Sequence, residues 1–242
     1  EGTTANTENL TLNTGTGDIT FSNTVGNTTP LANIIANSSG TTNFGSTVKA
    51  NSLTTDASGT TKINGDITTT GTQTYNDIVT LTNSINLNST NSNLTFNNSI
   101  EGTTANTENL NLNTGTGDIT FSGSIGNITP VGNITANSSG TTNFNSTVKA
   151  NSLTTDAGGT TKINGDITTT GDQTYNDIVT LTNSANLTTT NSNITFNNSI
   201  NGTTANTENL TLNTGTGDIT FSGSIGNTTP VGNITANSTG TT

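Results

Sequence analysis

The chain contains no cysteine, histidine, arginine, methionine or tryptophan, and only three of its 242 residues are proline. Without cysteine there is no disulfide scaffold and no thiol chemistry. Without histidine or cysteine, a side-chain nucleophile activated by an imidazole is excluded. Charge is sparse as well: 8% of residues are charged, and the four basic ones are Lys49, Lys62, Lys149 and Lys162, against 15 acids, for a net charge of −11. That balance disfavours nucleic acid and anionic membrane as partners. No apolar run approaches the ~20 residues needed to span a bilayer, so no membrane insertion is expected in this segment. Glu1 does not open a signal peptide, and any export signal or anchor is expected outside the segment.

Hydrophobic residues make up 26% of the chain and aromatic ones 4%, too few for a compact globular core. Disordered chains combine such poverty with high charge or proline, whereas the bulk here is neutral Asn, Thr, Ser and Gly. A cysteine-free chain of this kind fits a large exoprotein that crosses membranes unfolded, and an extracellular or cell-surface location is expected.

What is present is repetition. Residues 1–100 align without gaps to 101–200 with 15 differences, and 201–242 restart the same text. Three units follow, 1–100, 101–200 and a truncated 201–242, expected to form one continuous solenoid within a longer array. Inside each unit an apolar residue is followed four positions later by another, with small polar residues between: Phe21/Val25, Phe44/Val48, Ile63/Ile67, Leu81/Ile85 and Phe96/Ile100. The second unit repeats them at Phe121/Ile125, Phe144/Val148, Ile163/Ile167, Leu181/Ala185 and Phe196/Ile200, and the third opens with Phe221/Ile225. All of these except Ala185 are expected to stack in the core.

Successive signatures lie 23, 19, 18, 15 and 25 residues apart. The mean of 20 suits one turn of a parallel β-helix and is too short for a propeller blade. The expectation is therefore an all-β fold, a β-solenoid with about 20 residues per coil and five coils per 100-residue unit, each signature marking the same corner. Asn23, Ser46, Gly65, Asn83 and Asn98 occupy the middle of each signature, where the chain bends and a large side chain would collide with the next coil. Two residues before the first apolar member stand Ile19, Thr42, Thr61, Val79 and Leu94, giving the period of two of a strand with one face inward. Helix is excluded by the β-branched and glycine content and by the lack of a sustained 3.6-residue stripe. So few apolar groups cannot offset the entropy of ordering each coil. Continuous backbone ladders and stacked Asn and Thr side chains must supply the rest. Between units, Ile35 becomes Thr135 and Ile85 becomes Ala185. Ile35 is thus expected outside the core, and Ala185 is expected to leave its coil less well filled.

The segment Thr70-Gly-Thr-Gln-Thr-Tyr75-Asn-Asp-Ile-Val-Thr80-Leu81, repeated at 170–181, together with Thr16-Gly-Asp-Ile-Thr-Phe21, resembles the β-strand repeats of filamentous-haemagglutinin-like exoproteins, large secreted bacterial adhesins. The resemblance implies a right-handed parallel β-helix, an extracellular location and a role in attachment or biofilm. Nothing in the segment identifies a receptor.

Against catalysis, Asp18, Asp66 and Asp77 occur singly in different coils with no paired base, and read as turn residues. No cofactor is expected, although scattered Asp and Asn oxygens leave calcium at a turn as a weak alternative. Thr-x-Thr stretches suggest an ice- or glycan-binding face. Against it, the outward position read down the stack as Thr20, Asn43, Lys62, Thr80, Thr95 is interrupted. Lys49 and Lys62 read as charge partners for neighbouring acids or as guards against sideways strand pairing. Asn-x-Ser/Thr sequons, as at Asn9, Asn27 and Asn133, are frequent in a chain this rich in Asn and Thr. The expected function is an extracellular fibre or adhesin stalk without catalysis. Its expected partners are further copies of the repeat joined end to end and a cell surface or glycan, with ice or glycan binding as the alternative.

Overall fold

A computed structural model describes all 242 residues. The chain is all-β, and every strand pairing in it is parallel. Residues about 21 apart lie over one another, and about 11 turns form a β-solenoid. Each turn has three faces. Face I begins with the strand Leu10–Gly15 and face II with Ile19–Phe21; face III begins at Val25, which bridges Val48. The long strands Leu31–Ser38 and Val48–Thr55 bend across a corner and serve two faces, since Leu31 pairs with Ala50 and Ala50 with Thr69, while Ile34 pairs with Leu53 and Leu53 with Gln73.

The apolar pairs four apart do flank corners. Phe44 lies on face II, over Phe21 and under Ile63, whereas Val48 lies on face III, over Val25 and under Ile67. The turn count differs from five per unit. Phe96 does not stand over Leu81 but over Tyr75, and Phe121 stands over Phe96. The strand holding Leu81 is followed on its own face by Ile100–Glu101. The spacing of 15 is thus two-thirds of a turn and not a short coil. Fourteen face segments occur per hundred residues, so a unit makes four and two-thirds turns. Equivalent residues of successive units therefore fall on successive faces: Val25 is on face III, Ile125 over Ile100 on face II, and Ile225 over Ile200 on face I.

Like meets like along the axis. Tyr75, Phe96, Phe121 and Phe144 form a column of stacked rings with centroids 5.0, 5.3 and 5.1 Å apart. Shorter columns join Phe21 to Phe44 at 5.2 Å, and Tyr175 to Phe196 and Phe221 at 5.0 and 5.5 Å. Parallel stacking at the strand spacing is imposed by the in-register backbone. Outside, Asn88, Asn113 and Asn137 form an amide ladder, each Nδ2 donating to the Oδ1 below at 2.8 and 2.7 Å.

Of the expected core residues, Phe44, Val48, Ile63, Ile67, Leu81, Ile85, Phe96, Ile100, Phe121, Ile125, Phe144, Val148, Ile163, Ile167, Leu181, Phe196 and Ile200 are buried. Phe21, Val25 and Phe221 are only half-buried and Ile225 is 37% exposed, because they lie in the first and last turns, where one neighbour is missing. Ile35 is half-exposed and outside the core. Ala185 is buried, pairing with Leu210 as Ile85 pairs with Leu110. Ile128, where the other units carry Thr28 and Thr228, is 83% exposed.

The middle position of the signature is as tight as expected where a turn lies beneath it. A Cβ on Gly123 would come 2.4 Å from the Asn98 carbonyl carbon, and one on Gly165 2.5 Å from that of Ser146. Asn23, the counterpart of Gly123, stands in the first turn. Gly123→Asn is expected to lower the chemical-unfolding midpoint, at a cost of about 1–3 kcal/mol. Ala185→Ile, restoring the side chain that the first unit carries under an equivalent leucine, is expected to raise the midpoint, with a gain of about 1 kcal/mol. Equilibrium unfolding in guanidinium of the two variants beside the parent checks both signs.

Candidate functional site

The interior is polar at two equivalent places. In Gln73-Thr-Tyr75-Asn-Asp77 the alternation of a strand and the bend that follows turns Gln73, Tyr75 and Asp77 inward, all essentially buried, and the second unit repeats this at Gln173, Tyr175 and Asp177. The Tyr75 hydroxyl donates to Gln73 Oε1 at 2.9 Å, and Gln73 Nε2 donates to the Asn88 carbonyl at 2.9 Å and to Thr69 Oγ1 at 3.2 Å. Asp77 accepts from the hydroxyls of Thr55 at 2.8 Å and Thr61 at 2.8–2.9 Å. Burial pushes the Asp77 and Asp177 carboxyls above the usual carboxylate value, against the pull of those threonine bonds. Burial, with the neighbouring carboxyl adding to it, also pushes both phenols upward. Thr42 and Thr142, one turn below Thr61 and Thr161, carry buried hydroxyls with no partner.

Asp77, expected beside a turn, is thus an interior group, whereas the other acids act at corners. Asp18 Oδ1 accepts the Thr41 N–H of the next turn at 2.7 Å, and Asp66 Oδ1 that of Asn86 at 2.8 Å. Glu101 Oε2 accepts the N–H groups of Ile128 and Thr129, both at 3.0 Å, and Asn201 reaches the Thr228 N–H in the same way. Glu108 pins the loop before Leu110–Gly115, accepting from the Thr103 hydroxyl at 2.6 Å and the Thr104 N–H at 3.1 Å. Burial raises its pKa, but those bonds outweigh it and hold the carboxyl below its ordinary value. Each acid satisfies backbone donors that the bends leave without ladder partners. No three acidic side chains gather in one place.

The lysines do not pair with acids as expected: Lys49 Nζ lies 3.3 Å from the Asn27 carbonyl, and Lys149 Nζ 3.3 and 3.2 Å from the Asn127 carbonyl and Oδ1. The outward series also differs. Thr20, Asn43, Lys62 and Thr80 are followed on face II by Glu101, while Thr95 belongs to face I. Uninterrupted threonine columns result: Thr54, Thr74, Thr95 and Thr120 on face I, and Thr135, Thr154, Thr174, Thr195 and Thr220 on face III. Reading every signature as one corner hides these columns. The spacing of 15 was the available clue, since no full turn elsewhere in the chain is that short.

The fold and these columns define a three-faced β-solenoid. Compared with known proteins, the chain matches no family model, no curated protein and no solved structure. No helix in it is long and apolar enough to cross a membrane.

The raised carboxyls have a measurable consequence. The folded chain favours neutral Asp77 and Asp177, so the stability they contribute is complete below the ordinary value of 3.8 and is lost as pH rises through the folded value. The Glu108 and Glu208 clamps run the other way, losing their contribution as pH falls below about 4.5. An Asp77→Asn/Asp177→Asn variant is expected to gain on the parent in thermal midpoint as pH is raised from 4 to 7. A midpoint difference constant across that range would contradict the interior-acid account.

Proposed function

We propose that the chain is a stiff extracellular rod, a spacer or adhesin stalk of the filamentous-haemagglutinin-like kind, that holds a surface-attachment function away from the cell and performs no catalysis itself. The observation that supports this is pairing that continues through both unit boundaries. Ile85–Asn88 pairs with Leu110–Asn113, and Ala185–Thr188 with Leu210–Asn213, in the same register. A fold that adds turns without changing its cross-section is suited to setting a distance, since each turn contacts only its neighbours and length is free to vary. The carboxylates add support, because they are engaged with backbone donors or interior threonines and none forms an acid–base pair. Joining of further repeats end to end belongs to the same reading, since the ladder accepts another unit in register at each boundary between units.

Electron microscopy tests it. Inserting three further units, fourteen turns, should lengthen the particle by roughly 67 Å at ~4.8 Å per turn with no change in width. Compact particles, or lengths that do not follow unit number, would refute the rod. Loss of cell attachment when the segment is shortened, with the attachment region intact, would support the stalk.

A second reading is favoured by the threonine columns. The five hydroxyls from Thr135 to Thr220 repeat at the strand spacing, the kind of regular array that could order water or a glycan. Thermal hysteresis at micromolar protein would move this reading ahead of the first.

A further inference from the structure

The lysine contacts isolate a feature that the rod itself does not require. Beside the loop pinned by Glu108 is a surface depression of about 130 Å³, bordered by Asn106, Pro130, Lys149, Ala150, Thr168 and Thr190. Its sides are rigid for identifiable reasons. Asn106 has a left-handed backbone with φ of 61°, and its N–H donates to the Pro130 carbonyl at 2.8 Å. Ala150 and Thr168 lie in paired strands, where Lys149 stands directly opposite Thr168.

The chemistry of this depression is unlike the rest of the surface. Lys149 is one of four cations in a chain of net charge −11, and its ammonium contacts two neutral oxygens, so its charge is uncompensated there. Of the carboxylates on neighbouring turns, Asp166 is occupied by the Asn186 N–H and Glu101 by the Ile128 and Thr129 N–H groups. The hydroxyl of Thr170 is tied to Asn151 at 2.7 Å, whereas those of Thr168 and Thr190 make no hydrogen bond within the chain. Pro130, half-buried, supplies apolar surface, while Ala150 beside it is turned into the core. A cation, two free hydroxyls and a small apolar floor match a sugar ring that bears an anionic group.

We propose that this depression binds one carboxylated sugar unit of the uronic-acid type, with Lys149 holding the carboxylate, Thr168 and Thr190 meeting ring hydroxyls, and the ring lying against Pro130. The same residues recur in the first unit as Asn6, Pro30, Lys49, Ala50, Thr68 and Thr90. Lys49 pairs with Thr68 on face III and Lys149 with Thr168 on face II, so the two sets of residues are turned by a third of a revolution and separated by roughly 22 Å along the axis. A single exposed ammonium contributes little, and the affinity of one site is on the order of millimolar. Useful binding then depends on many sites along one rod meeting a polymeric acidic glycan. This proposal rests on the attachment reading for its purpose but not for its chemistry.

Saturation-transfer NMR on the whole 242-residue chain tests it, with methyl glucuronide, neutral methyl glucoside and a sulfated glucosamine as probes. Saturation of the glucuronide and not of the glucoside is expected, with at least a fivefold loss in a Lys49→Gln/Lys149→Gln variant and none in Lys62→Gln/Lys162→Gln. Circular dichroism of both variants establishes that the fold is kept. Equal signals from acidic and neutral sugars, equal loss in both variants, no saturation at all, or saturation by the sulfated sugar alone would each overturn the carboxylate site. Cell attachment by the parent that survives Lys49→Gln/Lys149→Gln unchanged would overturn this site's part in attachment while sparing the rod, and particles that fail to lengthen with added units would remove the rod while leaving the sugar titration to stand or fall by itself.

Discussion

Every feature of this molecule depends on one spacing, the ~4.8 Å between hydrogen-bonded parallel strands. At that distance a side chain has the residue about one turn away as its nearest neighbour, and the sequence answers by placing like over like: phenyl on phenyl, amide on amide, threonine on threonine. Backbone bonding carries much of the load that a large core carries elsewhere, with 138 main-chain hydrogen bonds joining a chain whose narrow interior is filled by a few side chains from each face. The same spacing explains the small residues at bends, since a Cβ on Gly123 or Gly165 would meet the backbone of the turn beneath.

The corners are where such a ladder is weakest, because bends turn N–H groups away from their partners. The side chains of Asp18, Asp66, Glu101 and Asn201 fill that gap by reaching to a neighbouring turn. Composition follows from this requirement. Asn is abundant because bends need a short acceptor, and the Asp and Glu residues that serve in the same way give the chain its acidic charge.

The fold class was legible because the period of two, the apolar pairs and the 100-residue unit are all properties of a linear text. The interior position of most signature residues followed from them. The stacking of Phe96 was not legible from the signature alone. A Phe–Ile pair marks a corner whichever of three corners it is, and only the short interval after Leu81 separates a part-turn from a full one. The same ambiguity extends to the surface, where Thr95 continues the column of Thr74 and Thr120 and not that of Thr80. Asp77 was missed for a different reason: an acid beside an asparagine reads as a bend, and nothing local reveals that Thr55 and Thr61, from other turns, meet it inside. The depression beside Lys149 draws on residues from 106 to 190, a span that no local pattern covers.

Fourteen is not a multiple of three, and that has a mechanical consequence. Over three complete units each side of the shaft would receive the same succession of strands, corners and charges, merely displaced along its length. Such a shaft has no keel: no side is stiffer, stickier or more acidic than another, so it resists bending equally in all directions and grows straight. A unit of fifteen segments would have kept every copy of a feature on one side and favoured curling toward or away from it.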